Sequence, residues 1–204
     1  MHATGQFAHF DTRIERAPHE WVFGANSNLA DDISVQWVRS VPGDFHARFS
    51  ALSRSYRYTI LNRQTRSSLA RQRAWWIRQP LDVDAMRAAL SSLRGEHDFT
   101  SFRASSCQAH SPVRTVLDLD ISRHGEWIIV CCRANAFLHH MVRNIVGSVV
   151  QVGRHEREVH WLGELLTARD RRLAGMTAPA QGLCLTAVEY PDAFGLDTAE
   201  LPFW

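Results

Sequence analysis

The longest apolar run in the chain covers residues 134–152 and predicts one buried helix. Within it, Phe137, Met141, Ile145 and Val149 recur at every fourth position, which places them on one helical face. Two histidines and one arginine interrupt the run, so it holds no block of about 18 apolar residues that could span a membrane. The pattern therefore indicates the central helix of a folded core.

A single arginine lies in the middle of this predicted helix. At about 100° per residue, His139, His140, Arg143 and Gly147 gather on one narrow face of it. A buried charge without a partner costs several kcal/mol, so the guanidinium must meet an anion. Two interpretations are open: a structural ion pair, or an arginine that faces a functional site and holds a catalytic carboxylate or a phosphate.

The other apolar periodicities predict strands and short helices around this centre. Alternation predicts strands over residues 6–10, 33–37, 45–60, 73–77, 115–122, 126–133 and 183–190. Helical spacing predicts helices from Pro18, over 82–94 and over 156–167, with one more turn at 170–174. Asp82 can cap the second of these helices. The irregular order of strands and helices, with hairpins, favours an α+β fold with a largely antiparallel sheet.

Two stretches lack a clear period. Residues 96–104 mix aromatic and polar side chains, which indicates a packed functional loop, and residues 191–204 are predicted to be an irregular tail.

Composition adds little to this outline. The chain has 204 residues, enough for a core of its own. Cys131 and Cys132 are neighbours on a predicted strand and point to opposite faces, so the four cysteines do not indicate a disulfide framework. A reducing cytoplasm fits best.

The charge distribution changes the picture more than the net charge of +2 does. Every basic residue is an arginine, and no acid occurs between Asp44 and Asp82. That window holds Arg48, Arg54, Arg57, Arg63, Arg66, Arg71, Arg73 and Arg78, interleaved with Tyr56, Tyr58, Trp75 and Trp76. Such a pattern is typical of a surface that binds phosphates and stacks on bases. The alternative is a solvated face whose charge is balanced by acids from elsewhere in the fold.

Known catalytic motifs give no direct lead. The chain has no paired C-x-x-C spacing, no H-E-x-x-H and no G-x-S-x-G, and it lacks a glycine-rich phosphate loop, so no metal site or cofactor is expected. Tyr56 is the exception, since it lies inside the basic strand between Arg54 and Arg57. Its ring can pack in the core, or it can stack on a flipped base with its hydroxyl free to handle a proton.

Five stretches, taken together and in this order, resemble the bacterial tRNA pseudouridine synthase A family. They are Val-Pro-Gly-Asp-Phe-His-Ala-Arg-Phe-Ser-Ala at 41–51, Tyr-Arg-Tyr at 56–58, His-Asp-Phe-Thr-Ser-Phe-Arg at 97–103, Asn-Ala-Phe-Leu-His-His-Met-Val-Arg-Asn-Ile-Val-Gly at 135–147 and Gly-Leu-Cys-Leu at 182–185. The resemblance extends from His2 to Tyr190, nearly the whole chain.

The resemblance implies the pseudouridine synthase fold, a mainly antiparallel mixed sheet flanked by helices. It further implies an isomerase that converts uridine to pseudouridine in the anticodon stem-loop of tRNA, acting as a homodimer without a cofactor. Residues 1–190 would form the C-terminal part of the catalytic domain. By the same resemblance, Tyr56 packs on the target uracil, Arg143 pairs with the catalytic aspartate, and Gly182 and Leu183 line the pocket. Charge and position alone mark four arginines as RNA contacts: Arg48, Arg54, Arg57 and Arg103.

The catalytic aspartate is the main departure from the family pattern. In the family it lies in the motif Gly-Arg-Thr-Asp-Ala-Gly-Val-His-Ala, and Met1-His2-Ala3 matches only the end of this motif. The aspartate and an N-terminal half-domain would thus lie upstream of Met1, and Asp170 is a poor substitute for the aspartate. We therefore expect this chain to be inactive alone. Two alternatives are a non-catalytic remnant that binds structured RNA, and an unrelated basic α+β protein in which Arg143 is structural.

Overall fold

The computed structural model describes residues 1–196, which fold into one mixed sheet with helices against it. In chain order the elements are β1 (His2–Ala3), α1 (Pro18–Asn26), β2 (Ser53–Asn62), β3 (Trp75–Ile77), α2 (Val83–Leu90), β4 (Gly95–Asp98), β5 (Val113–His124), β6 (Trp127–Ala134), α3 (Met141–Gly153), α4 (Trp161–Ala168) and β7 (Leu183–Glu189). Short 3₁₀ turns lie at Ser91–Leu93, Thr100–Phe102, Arg171–Leu173, Ala180–Gly182 and Asp192–Phe194. The predicted tail therefore contains one 3₁₀ turn, and its part beyond residue 196 lies outside the described residues.

The strand order is β1-β7-β2-β6-β5-β4, with β3 also beside β2. The pairs β2–β6, β2–β7, β5–β6 and β4–β5 are antiparallel, whereas β1–β7 and β2–β3 are parallel. One edge of β2 is shared by two partners. Residues 53–58 pair with β7, and residues 60–62 pair with β3. The beginning of β7 and strand β3 therefore meet beside the middle of β2. This arrangement confirms the predicted α+β class.

Helices α2 and α3 cover one face of the sheet and contact each other, and between them they also contact β5 and β2. Strand residues that point to this face are buried, as Tyr58 and Cys132 show, while Cys131 on the other face is exposed. The opposite orientation of the two neighbouring cysteines confirms the prediction. Asp82 caps α2, as predicted, because its carboxylate accepts hydrogen bonds from the N–H groups of Asp84 and Ala85.

The central helix is shorter than its apolar pattern. It begins at Met141 rather than at residue 134, because His140 has a left-handed backbone with φ +63°. Before it, the Asn135 side chain accepts hydrogen bonds from the N–H groups of Thr115 and Ala136 and holds the chain in a loop. The prediction that His139 and His140 share a helical face with Arg143 is therefore wrong. At 13 residues, α3 is about 20 Å long, and among the described residues no helix is long and apolar enough to cross a membrane.

Two predicted strands are not strands. Residues 6–10 leave the sheet after β1, and the Phe7 ring packs instead against Trp37 and Tyr190 at centroid distances of 5.4 and 5.1 Å. In the segment 33–37, the Asn26 side chain bonds both the N–H and the C=O of Val35. These are the backbone groups that a neighbouring strand would otherwise use, so a side chain takes the place of a sheet partner.

Other boundaries also shift. The strand predicted over 45–60 begins only at Ser53, because residues 46–50 form a turn in which Ser50 N–H donates to the carbonyl of His46. Helix α4 begins at Trp161 instead of residue 156, and Val159 is exposed. The predicted loop over 96–104 contains β4 and a 3₁₀ turn, and its two phenylalanines are fully buried in the core.

Candidate active site at the start of the central helix

Arg143 lies in the first turn of α3 and is half-buried. Its Nε donates a hydrogen bond of 2.7 Å to the carbonyl of Ala178, and its own carbonyl accepts one of 3.1 Å from the Ala178 N–H. One turn later, a Cβ on Gly147 would lie 1.7 Å from the carbonyl oxygen of Met176. The face of α3 that carries Arg143 and Gly147 therefore packs directly on the backbone of residues 176–178.

No carboxylate within residues 1–196 forms an ion pair with Arg143. Its neighbours are cationic or neutral instead. Arg171 is held close by, since its guanidinium donates to Asn144 Oδ1 and to Thr177 Oγ1, both at 3.1 Å. Burial, with the charges of His139, Arg143 and Arg171, lowers the pKa of His140. The structural ion pair that the sequence left open is thus not found in the described part of the chain.

Tyr58 connects strand β2 with this helix face. Its hydroxyl donates a 2.7 Å hydrogen bond to the carbonyl of Pro179, and its ring packs so closely on Gly182 that a Cβ there would lie 2.7 Å from the ring. Burial raises the pKa of Tyr58 strongly, and the nearby charge of Arg143 opposes this only in part. Arg143, Tyr58 and the turn before β7 therefore form one corner, in which Gly182 is buried.

Tyr56 lies two residues earlier on β2 and points to the same face of the sheet, because side chains alternate along a strand. It is half-buried and pairs in register with Cys132 on β6 and Leu185 on β7. The edge of its ring meets Phe137 at a centroid distance of 5.0 Å, with an interplanar angle of 86°. Burial raises the pKa of Tyr56, with Arg54 opposing, so the hydroxyl is neutral at physiological pH.

Comparison with known proteins shows which family this chain belongs to. A family model described as tRNA pseudouridine synthase matches residues 89–191. The chain is 50% identical over 196 residues to the tRNA pseudouridine synthase A proteins of Shigella boydii serotype 4 (strain Sb227), Escherichia coli (strain SMS-3-5 / SECEC) and Salmonella newport (strain SL254). Each alignment covers 96% of this chain and 73% of the relative. The chain belongs to the tRNA pseudouridine synthase family. The resemblance of its motifs to that family, and the isomerase class it implied, are confirmed.

The structure places two of the four arginines that were predicted to contact RNA, Arg48 and Arg54, in contact with each other before and at the beginning of β2. Arg54 donates to the carbonyl of Asn135 at 3.3 Å and to that of Arg48, whose guanidinium lies over the Phe49 ring. Arg57 is half-buried on β2, opposite Cys131 in the register.

Arg103, the last of the four, is tied to its own loop. Its guanidinium donates to the carbonyls of Cys107 and Ala109 at 2.6 and 2.7 Å. The same loop bonds to the segment before α3, because the Ala104 N–H donates to the carbonyl of His139 at 3.0 Å. Arg103 therefore holds a loop beside the segment that leads into α3.

Sequence reasoning missed several residues of this corner. Thr177 and Ala178 carry no motif of their own, and they reach the site only because tertiary packing brings their segments together. Arg171 falls in the turn predicted at 170–174 and was not singled out, and it is half-buried against Asn144. Asp170, the acid next to Arg171 in sequence, instead pairs with Arg172 at 2.6 Å.

Proposed function

We propose that the corner formed by Tyr56, Arg143 and Gly182 binds a uridine of tRNA and isomerises it to pseudouridine. The observation that carries this proposal is the half-buried guanidinium of Arg143, which has no carboxylate partner among residues 1–196. The relatives named tRNA pseudouridine synthase A support tRNA as the substrate. An anion supplied from outside these residues would complete the site.

The register of β1 supports the proposal that the chain segment before Met1 supplies this anion. Strand β1 runs parallel to β7 and pairs His2 with Cys184 and Ala3 with Leu185. A segment that precedes Met1 would therefore continue past Leu183 towards the turn at Ala180–Gly182, where Arg143 and Tyr58 are anchored. The family's aspartate falls three residues before Met1, a distance of about 10 Å in an extended chain. We infer that this aspartate pairs with Arg143.

In the proposed reaction each group has one task. The aspartate acts at C1′ of the sugar, as nucleophile or as base, while the N1–C1′ bond breaks. The uracil turns over, a C5–C1′ bond forms, and the proton lost from C5 is balanced by one gained at N1, so no redox cofactor is needed. Arg143 orients the aspartate and keeps it ionised, and the neutral Tyr56 ring packs on the uracil. Gly182 and Leu183 line the pocket that holds the uracil.

We further propose that the RNA is the anticodon stem-loop of tRNA, that the protein works as a homodimer, and that it does so in the cytoplasm. Residues 1–52 support a large partner surface. Helix α1 has no buried residue, and the exposed fractions of Phe10, Phe23 and Phe49 are 58, 71 and 74%. Aromatic side chains exposed to this extent are typical of surfaces that bind a partner. Arg48 and Arg54 at the same end supply charge for phosphates.

A second candidate function is RNA binding without turnover. The absence of a carboxylate partner for Arg143 within residues 1–196 favours this function for the 204-residue chain. The basic window and Tyr56 need no aspartate to hold RNA, so both functions predict binding and only the first predicts product.

We expect Tyr56→Ala to weaken binding of an unmodified tRNA transcript by about tenfold, since one base stacked on an aromatic ring contributes about 1–3 kcal/mol. Tyr56→Phe keeps the ring and should bind within about twofold of the parent chain. Fluorescence anisotropy with labelled tRNA measures both variants. Equal affinities for the alanine variant and the parent chain would remove Tyr56 from the substrate site.

A further inference from the structure

A separate pocket of about 180 Å³ opens beside β3, outside the Tyr56–Arg143 corner. Its floor is apolar and buried, formed by Leu61 and Ala74 with exposed fractions of 2 and 3%. One wall is the indole of Trp76, whose Nε1–H donates a 2.9 Å hydrogen bond to the carbonyl of Arg63 and so fixes the ring. The pocket therefore offers a flat, preformed apolar surface with one aromatic side.

The mouth of the pocket is strongly cationic. Arg66 and Arg71 line it, both exposed, and neither forms an ion pair with any carboxylate among residues 1–196. The nearby acid Glu126 is already engaged by Arg63 at 2.9 Å. Two guanidiniums that share no counter-ion within the described chain attract an anion from outside it.

The loop that carries these arginines is held in place. Arg63 Nε donates to the carbonyl of Thr65 at 2.7 Å, and the Ala74 N–H donates to that of Ala70 at 3.1 Å. The His2 imidazole donates from Nε2 to the carbonyl of Gln72 at 2.5 Å, which links the loop to β1. Little ordering would be needed when a ligand binds.

The pocket also adjoins the proposed active site. Gln181 lines it, and the next residue, Gly182, packs on the ring of Tyr58. This contact follows from the sheet, since β3 and the beginning of β7 meet along one edge of β2. Leu61 and Trp76 pair in register and alternate with Tyr58 along the strands, so the pocket opens on the opposite face of the sheet from Tyr56. An RNA that places one base at Tyr56 would therefore reach the pocket across the sheet edge at the Ala180–Gly182 turn.

We propose that the pocket binds a second unpaired nucleotide of the same RNA, across the sheet edge from the target uridine. This inference rests on the proposed function. The base enters against Trp76 and Leu61, and its phosphate lies on Arg66 and Arg71. The pocket has a volume of about 180 Å³, whereas pockets for drug-sized ligands measure about 300–1,000 Å³. A pocket of this size suits one planar base, with the phosphate left outside. An apolar slot with an aromatic wall and flanking guanidiniums is how single-stranded nucleic acid is held, whereas an acidic peptide would use only the charges.

A matched pair of arginines tests the proposal. Arg71 and Arg73 lie two positions apart in one loop and both are exposed, but only Arg71 lines the pocket. In fluorescence anisotropy with an unmodified tRNA transcript, we expect Arg71→Ala to weaken binding about tenfold and to lower the salt slope by about 0.7–0.9, the value for one phosphate. Arg73→Ala should stay within about twofold of the parent chain.

A pocket-filling variant separates the base from the phosphate. Ala70→Leu adds apolar volume to the lining without removing charge, so we expect about tenfold weaker binding with an unchanged salt slope. Circular-dichroism melts confirm that each variant is folded. Equal affinities for Arg71→Ala and Arg73→Ala, or an effect of Arg71→Ala on a labelled poly-glutamate peptide but none on tRNA, would overturn the second-nucleotide site and leave the proposed function standing. Failure of the parent chain to bind tRNA would overturn both.

Discussion

Mixed in excess with an unmodified tRNA transcript, the 204-residue chain is expected to form no pseudouridine in a single turnover. The reaction needs a carboxylate at C1′ of the sugar, and none lies beside Arg143 within residues 1–196. Removal of a nucleophile from an enzyme that uses one lowers the rate by about 10⁴-fold or more. Tritium released from C5-labelled uridine measures the conversion, because C5 loses its hydrogen when the new bond forms.

The control is the full-length relative from Escherichia coli assayed on the same transcript, with which this chain shares 50% identity. It should release tritium under conditions in which the 204-residue chain releases none. Product from the chain above the background of free RNA would mean that a carboxylate within it can act. Asp170 would be the first to replace, although its pairing with Arg172 at 2.6 Å argues against it.

Gly147→Ala is expected to destabilise the fold by about 3 kcal/mol, at the upper end of the range for an overpacked interior. The new Cβ would lie 1.7 Å from the carbonyl oxygen of Met176, so α3 and the segment 176–178 would have to separate. That separation would also break the two hydrogen bonds between Arg143 and Ala178. For a domain of this size, the melting temperature should fall by about 6–12 °C.

The matched control for this substitution is Gly163→Ala in α4. There the nearest atom to a new Cβ is Ser92 Cβ at 3.7 Å, an ordinary contact. Alanine favours a helix over glycine by about 1 kcal/mol, so this variant should melt at or above the parent temperature. Thermal melts followed by circular dichroism compare the two. Similar melting temperatures for both variants would show that α3 does not pack on residues 176–178 as described.

The sequence predicts a helix or strand well where the burial of an apolar face determines it, and poorly where a single backbone conformation or side-chain hydrogen bond does. The apolar period found the central helix, because burial of Met141, Ile145 and Val149 is what forms it. Helical spacing then placed Arg143 and Gly147 on one face of that helix. The apolar period placed the start too early, since a left-handed residue at His140 ends the loop and the period carries no sign of it. Alternation was misleading at residues 33–37, where the side chain of Asn26 takes the backbone hydrogen bonds of Val35.

The sequence predicted only those residues of the candidate site that lie in family-like motifs. Tyr56 and Arg143 lie in stretches that resemble the family, and the structure links them through Tyr58, which is two residues from Tyr56 on β2 and lies near Arg143. The roles of Ala178 and Pro179 were not foreseen, because they are set by contacts between segments distant in sequence. The pocket beside Trp76 was not foreseen either, although its arginines belong to the acid-free window.

The central claim is that Arg143 forms an ion pair with the family's aspartate, which would precede Met1. The most direct test is a crystal structure of the chain preceded by Gly-Arg-Thr-Asp-Ala-Gly, in which the distance between the Arg143 guanidinium and that aspartate is measured. We predict an N–O distance within about 4 Å, the range of an ion pair, on the side of the Ala180–Gly182 turn. An aspartate on the opposite face of the sheet, with Arg143 paired to an acid from within residues 1–196, would contradict the account.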